Sequence, residues 1–197
     1  MASDLDVKPV AIADWDESLA SIVEDMGGRP LNVHSLMAHN PALLKAWWDF
    51  RNYSVQGGAL GRRRGELLIL RVAVRLKTWY EWGSHVERSL ACGLSMAEIE
   101  RVKLGVGAAG WEEWDEAESV LLQSVDELLE TQGLKPSSHS ALREHFSVSE
   151  IMDIIAIHGM YVILGGMINT WGLELDAHIK NKLPDGVTEE KFEADAT

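Results

Sequence analysis

The sequence has a single cysteine, Cys92, among its 197 residues. One thiol excludes an intrachain disulfide, a CxxC redox pair and a cysteine-rich zinc or iron–sulfur site. Basic residues are also scarce, since 18 Lys and Arg stand against 31 Asp and Glu and give a formal net charge of -13. Nucleic-acid phosphates attract Lys and Arg and repel carboxylates, so this charge balance argues against a nucleic-acid partner.

A membrane-spanning run and an N-terminal targeting signal are lacking as well. The most apolar uncharged stretch, residues 154–168, would reach roughly 22 Å as a helix, which is short of the ~30 Å hydrocarbon core. Residues 1–10 are mixed and charged, unlike a secretory signal. We therefore expect a cytoplasmic protein with no membrane partner and, from its length, one domain.

Tyrosine and phenylalanine are rare, with three of each, whereas tryptophan occurs eight times. A buried indole N–H needs a hydrogen-bond partner, which makes tryptophan a demanding choice for ordinary core filling. The excess is compatible with an aromatic-lined pocket, with an oligomer interface or with plain core packing.

Apolar residues recur at helical spacing along nearly all of the chain, and no strand pair or βαβ spacing is present. The pattern predicts an all-α fold with a single domain over residues 30–182, preceded by an extension (1–29) with a short helix and followed by a loose acidic tail (183–197). Asn40-Pro41 predicts a helix start, and Thr78 with Glu81 and Ser95 with Glu98 fit the S/T-x-x-E capping box. The predicted helices are 16–25, 41–53, 66–76, 78–92, 95–104, 114–132, 138–146 and 149–171, with a basic hinge at 61–65.

Glu81 and His85 lie four residues apart, so their side chains share one face of the predicted helix. Glu81 is in the first turn, where the helix dipole favours the ionised carboxylate. An ionised Glu81 would raise the pKa of His85 and fix its tautomer, which makes the two residues a candidate acid/base pair. The alternative is a simple capping box beside a half-buried histidine.

Glu66 is a third candidate, because a turn between the two helices would bring it near the face of Glu81 and His85. Its alternative role is to pair with the helix dipole or with Arg62 or Arg63.

Three segments resemble the carboxymuconolactone decarboxylase family, which shares its helical fold with the alkylhydroperoxidase AhpD-like proteins. They are GELLILRVAVR (65–75), YEWGSH (80–85) and GLSMAEI (93–99), and weaker similarity covers most of residues 30–176. In the redox branch of the family a Glu, a CxxC pair and a His four residues later form a proton relay. Glu66 and His85 correspond to that Glu and His, whereas Thr78 and Glu81 occupy the two cysteine positions.

The resemblance therefore implies the decarboxylase branch rather than an AhpD-type peroxidase. It implies a cofactor-independent lyase in which Glu81 and His85 exchange protons and Glu66 orients or relays. The substrate would be a small organic acid, such as a carboxylated lactone or a ring-cleavage product of aromatic-compound catabolism, and the protein a homo-oligomer, commonly a trimer or hexamer. An isomerase or dehydratase, a non-catalytic ligand-binding or assembly protein, and thiol chemistry through Cys92 stay open as alternatives.

Further residues are candidates for substrate binding. An arginine would bind the substrate carboxylate, aromatic side chains would shape the pocket, and a histidine or tyrosine would reach it from another helix. Each also has a structural interpretation as a surface ion pair, a core side chain or a helix-end residue. No histidine shows metal-ligand spacing, so the sequence predicts no metal. These candidates are Arg71, Arg75, Trp79, Tyr80, Trp82, His39, His158 and Tyr161.

Overall fold

The computed structural model describes residues 7–195, which contain α-helices and short 3-10 turns and no β-strand. The predicted all-α fold is thereby confirmed for this part of the chain; residues 1–6 and 196–197, the outer ends of the predicted extension and tail, lie outside the described residues. The helices are α1 (Ala20–Asp25), α2 (Asn32–Met37), α3 (Pro41–Val55), α4 (Arg62–Arg75), α5 (Trp79–Ala91), α6 (Met96–Arg101), α7 (Glu116–Thr131), α8 (Pro136–His145), α9 (Val148–Trp171), α10 (Ala177–Lys180) and α11 (Glu189–Asp195).

Helix α4 is the central element of the fold. Every residue from Gly65 to Val74 is buried, and α5, α7 and α9 pack around it. This burial follows from the apolar residues on all sides of the helix. The predicted hinge at 61–65 is wrong, because α4 already begins at Arg62. Gly65 lies inside the helix against Gly57, whose Cα would be 3.0 Å from a Cβ at position 65.

The turn between α4 and α5 brings the two helices side by side. Lys77 adopts a left-handed conformation (φ 52°) there, and the chain reverses between Leu76 and Thr78. Gly165 of α9 packs against this turn, since a Cβ at that position would be 2.8 Å from Leu76 Cδ1. The reversal places the beginning of α4 opposite the middle of α5.

Two of the three helix caps predicted from the sequence are present in the structure. The Asn40 side chain accepts a hydrogen bond from the Leu43 N–H, and Ser95 and Glu98 form a reciprocal capping box. The box predicted for Thr78 and Glu81 is wrong. Thr78 makes no side-chain cap bond, and Glu81 is buried in the protein.

Helix α9 has one buried side and one apolar side exposed to solvent. Its length and composition would suffice for a membrane span, and half of its most apolar window is buried inside the protein. The exposed apolar side chains are Val148, Met152, Ile155 and Ile163.

The C-terminal segment is more ordered than the predicted loose tail. Phe192 of α11 is 1% exposed, and its ring lies 5.8 Å from that of Trp79 and 5.3 Å from that of Trp82. Asp195 Oδ2 forms an ion pair with Lys103 Nζ at 3.4 Å. The tail prediction is therefore wrong for α11, because its one aromatic side chain packs into the core.

Candidate active site

A buried hydrogen bond joins Glu66 of α4 to His85 of α5. The Nδ1 of His85 lies 2.6 Å from Glu66 Oε2, and both side chains are less than a tenth exposed. A carboxylate accepts, so Nδ1 is the nitrogen that carries the proton and donates. In the neutral imidazole this leaves Nε2 as a free base. The tautomer of His85 is therefore fixed by Glu66 and not, as the spacing suggested, by Glu81.

Two further groups face Nε2 of His85. The hydroxyl of Tyr161, from α9, is 3.1 Å away, and its ring meets the imidazole edge-on with centroids 5.2 Å apart. Glu81 Oε2 lies 3.7 Å from the same nitrogen. Helices α4, α5 and α9 thus each contribute to one proton-transfer cluster.

Burial decides the charges of this cluster. It raises the pKa of Glu81 to about 8, a shift that Arg88 opposes and Glu66 reinforces. Burial also lowers the pKa of His85, although the neighbouring Glu66 acts in the other direction. The expected ionised Glu81 and raised His85 pKa are therefore wrong, because loss of solvation outweighs the helix dipole. At neutral pH the cluster holds a protonated Glu81 beside a neutral His85.

Glu81 and His85 line a small inner cavity enclosed by α2, α3, α5 and α9. Its volume is about 30 Å³, enough for one water-sized group. Glu81 Oε1 and Ser84 Oγ are buried with no hydrogen-bond partner among residues 7–195. Buried polar atoms are normally satisfied, so both atoms are available to a water molecule or a ligand group that enters the cavity. The lining residues are Leu31, Val33, His34, Arg51, Val55, Tyr80, Glu81, Ser84, His85, Arg88, Met160, Tyr161 and Leu164.

An outer pocket of about 310 Å³ adjoins this inner cavity. Arg51, Val55 and Arg88 line both spaces, and Glu66 lines the outer one while bonding to His85 of the inner one. The volume is at the lower end of small-molecule sites. The remaining lining residues of the outer pocket are Gln56, Arg62, Ala91 and Cys92.

His34 presents a neutral donor to the inner cavity. The Leu31 N–H donates to its Nδ1 at 3.3 Å, so the ring proton is on Nε2. Burial, with the nearby Arg51 and Arg88, lowers the pKa of His34 to about 3. The ring therefore stays uncharged throughout the physiological range.

Two of the predicted binding residues, Tyr80 and Tyr161, line the inner cavity. Tyr80 is a structural part of the wall, since its hydroxyl donates to Asp176 at 2.6 Å and accepts the Val33 N–H at 3.2 Å. His158 of α9 is half-buried, with its Nε2 unpartnered among the described residues, and burial lowers its pKa. It lines neither the inner cavity nor the outer pocket.

The predicted arginine clamps lie elsewhere. Arg71 donates to both carboxylate oxygens of Asp126, at 2.7 and 2.5 Å, and Arg75 pairs with Asp126 and Glu130. Both guanidinium groups are thus neutralised by α7, away from the cavity.

Three other candidates also lie outside both cavities. Trp79 and Trp82 pack against Phe192, and His39 Nε2 bonds to the Lys8 carbonyl at 2.8 Å. Trp79 instead lines a separate pocket of about 750 Å³ between α5 and the C-terminal segment, and a substrate-binding role for these three residues stays a prediction.

Sequence reasoning missed four polar side chains that line the inner cavity: Ser84, Arg88, His34 and Arg51. Ser84 and Arg88 follow Glu81 by three and seven positions on α5, which is the same helix face, so this signal was available. His34 and Arg51 come from α2 and α3 and have no local signal.

Cys92 lines the outer pocket, where its Sγ–H donates to the Ser89 carbonyl at 3.2 Å. Burial and the nearby Glu66 raise the pKa of its thiol, which disfavours the reactive thiolate.

Three side chains with metal-ligating atoms cluster outside these cavities. Within residues 7–195, the carboxylate and imidazole atoms of Glu116, Glu144 and His145 come close enough to share one ion, but the two glutamates are exposed on the surface. Neither cavity includes them.

Comparison with known proteins finds a family match over part of the chain and a shared fold over most of it. Residues 41–122, which contain Glu66, Glu81 and His85, match the model of the carboxymuconolactone decarboxylase family. The chain is similar to an alkylhydroperoxidase AhpD core, an uncharacterized peroxidase-related protein from Ralstonia eutropha JMP134, with a TM-score of 0.73 and 19% identity over 90% of this chain and 96% of that one. An uncharacterized peroxidase-related protein from Silicibacter sp. TM1040 gives the same TM-score, 0.73, and 19% identity over 89% and 92% of the two chains.

The debrominase Bmp8, solved in complex with 2,3,4-tribromopyrrole, is more distant, with a TM-score of 0.67 and 14% identity over 89% of this chain and 94% of that one. No curated protein matches the chain in sequence. The matches confirm the family resemblance and the AhpD-like helical fold expected from the sequence.

Proposed function

Since residues 41–122 belong to the carboxymuconolactone decarboxylase family, we propose that this protein is a cofactor-independent lyase acting on a small carboxylated lactone or a similar ring-cleavage product. One observation carries the proposal. The buried Nε2 of His85, held by the 2.6 Å bond from Nδ1 to Glu66, lies 3.7 Å from Glu81, whose other oxygen has no partner among the described residues. A base and an acid thus face one cavity.

The charges of the pair suit decarboxylation. When the carbon–carbon bond to the substrate carboxylate breaks, carbon dioxide leaves and the electron pair passes into the unsaturated lactone. The resulting carbanion equivalent needs one proton. Glu81 supplies it, because a carboxyl group with a pKa of about 8 is still protonated at neutral pH.

His85 then returns a proton to Glu81. Its Nε2 takes up a proton from solvent and passes it across the 3.7 Å gap to the Glu81 carboxylate. Glu66 stabilises the transient imidazolium through the Nδ1–H bond. The cycle leaves Glu81 protonated and His85 neutral, as they began.

The same geometry favours a second candidate, an isomerase or dehydratase. Nε2 of His85 can remove a proton from one carbon while Glu81 delivers a proton to another carbon or to a leaving hydroxyl. Acid/base groups do not determine which bond breaks, so the two candidates share their residues and differ in their products.

The test combines turnover of a carboxylated unsaturated lactone with two conservative substitutions, His85→Gln and Glu81→Gln. Each variant is expected to lose roughly a hundredfold or more in turnover, the usual contribution of a positioned acid or base. Glu87→Gln, which changes an exposed residue of the same helix, is the matched control.

Turnover of His85→Gln at the wild-type rate, with wild-type helicity by circular dichroism, would overturn the acid/base assignment. Carbon dioxide release separates the lyase from the alternatives. Substrate consumption without gas release, accompanied by deuterium uptake from solvent, would identify the isomerase.

We also propose a cytoplasmic homo-oligomer, a trimer or hexamer, in which a second copy covers the exposed face of α9. The support is the exposed apolar row of Val148, Met152, Ile155 and Ile163, since soluble proteins seldom leave such patches uncovered. Sedimentation equilibrium tests this, with Ile155→Lys expected to dissociate the assembly. A monomeric wild-type protein would refute the proposal.

A further inference from the structure

Two arginines stand at the boundary between the inner cavity and the outer pocket. Arg51 comes from α3 and Arg88 from α5, and both side chains line both spaces. Both are half-buried. A group held by the pair would therefore lie beside Glu81 and His85 while the rest of its molecule occupies the outer pocket.

The pair also differs from the half-buried and buried arginines of α4, which have carboxylate partners. Arg63 binds Glu98 and Glu118, and the Arg71 guanidinium is paired with Asp126. For Arg51 and Arg88 no ion pair with a carboxylate occurs within residues 7–195, although the chain has 31 acidic residues to offer.

Arg51 is nevertheless held in place. Its Nη1 donates to Asn52 Oδ1 at 2.9 Å, and its guanidinium lies 5.1 Å above the ring of Trp48. Stacking on an aromatic ring leaves the edge of the planar guanidinium available to an oxyanion. Burial, and after it the charge of Arg88, lowers the pKa of Arg51, because the two cations lie close to each other.

From this juxtaposition we propose that Arg51 and Arg88 form an anion subsite that binds a carboxylate of the substrate which stays intact in the reaction. Guanidinium groups match a carboxylate with two parallel hydrogen bonds, and two of them neutralise its charge in a partly desolvated site. The inner cavity of about 30 Å³ accepts only the reacting end of the substrate. The retained carboxylate therefore belongs at the boundary, and the substrate carries an anionic group beyond the one that reacts.

This inference rests on the proposed function, because it takes the bound anion to be part of the substrate. Its test, however, measures binding and does not depend on catalysis. The probe is glutarate, a small dicarboxylate, and its neutral diamide is the ligand control. Binding is followed by calorimetry and by the NMR resonances of the arginine Nε–H groups. Wild type is expected to bind glutarate and not the diamide, with shifts at Arg51 and Arg88.

Arg88→Gln and Arg51→Gln are each expected to weaken glutarate binding by about tenfold or more, since each removes charged hydrogen bonds to the anion. Arg75→Gln, which removes an arginine paired with Glu130 outside both cavities, is the matched control and should bind as wild type. Melting temperatures establish that all three variants are folded.

Wild-type binding by the Arg51→Gln/Arg88→Gln double variant would overturn the subsite, as would a wild-type protein that does not bind glutarate. The proposed function would be refuted by a different result, which is turnover by His85→Gln at the wild-type rate. Because His85→Gln retains both arginines, it should bind glutarate in either case.

Discussion

The stability of a Glu81→Gln variant relative to wild type should increase as pH rises, because wild type loses stability with pH and the variant does not. The pKa of Glu81 is about 8 in the folded chain against an ordinary 4.5, because the carboxyl group is 4% exposed and loses its solvation. Above pH 4.5 the unfolded chain releases this proton while the folded chain keeps it. The free energy of unfolding therefore falls as pH rises from 4.5 to about 8.

The magnitude follows from the shift. Each pH unit in this window removes about 1.4 kcal/mol, which amounts to roughly 3 kcal/mol between pH 4.5 and 7. A glutamine has no proton to release, so Glu81→Gln lacks this loss. Burial of the glutamine amide changes the free energy of unfolding by an amount that does not vary with pH. The diagnostic quantity is therefore the slope, against pH, of the difference in unfolding free energy between Glu81→Gln and wild type.

The assay is urea denaturation, followed by tryptophan fluorescence or circular dichroism, at intervals from pH 5 to 8.5. The difference in unfolding free energy between Glu81→Gln and wild type should grow by about 1.4 kcal/mol per unit and level off above pH 8. Glu87→Gln, on the exposed face of α5, should follow the wild-type profile. Parallel profiles for wild type and Glu81→Gln would refute the buried neutral carboxyl group and, with it, the general acid of the proposed mechanism.

Three further predictions concern other parts of the fold. In an NMR titration, His34 should stay neutral down to about pH 3 with its proton on Nε2; a midpoint near 6.5 would contradict its burial. Gly57→Ala should destabilise the fold by about 2 kcal/mol or more, because the residue has φ 80° and a Cβ would lie 2.3 Å from the Gly61 carbonyl oxygen. Thermal melts test this, with Gly105→Ala as the control. A Cβ at position 105 meets nothing within 4 Å, so that variant should be as stable as wild type. Phe192→Ala should lower the unfolding free energy by about 3 kcal/mol in urea titrations, and a change below 1 kcal/mol would show that α11 does not contribute to the core.

Most of the long helices and the proximity of Glu66 to His85 could be predicted from the sequence because both depend on short-range patterns. Apolar periodicity determines which side of each helix is buried. One sharp turn between α4 and α5 is then enough to bring Glu66 opposite His85, as their separation suggested. The same local reasoning found the Asn40 cap.

The charge of Glu81 could not be predicted in this way. The helix dipole contributes about 1 kcal/mol at most in exposed positions, whereas burial of the carboxyl group shifts its pKa to about 8. That burial depends on α2, α3 and α9, which are far away in the chain.

The arginines illustrate the same limit. Arg71 and Arg75 were plausible clamps until α7 supplied Asp126 and Glu130, which lie 55 residues further along the chain from each. Arg51 and Arg88 form no ion pair with a carboxylate among residues 7–195, and this too depends on the folded arrangement. Which cations remain unpaired is a property of the assembled fold.

The residues of the candidate site differ in how far apart they lie along the chain. Glu66 and His85 are 19 residues apart, whereas Tyr161 is 76 residues from His85. Local contacts form at a small loop-closure cost during folding, and distant ones follow. We therefore expect the α4–α5 hairpin to bring Glu66 and His85 together before α9 adds Tyr161 to the cluster.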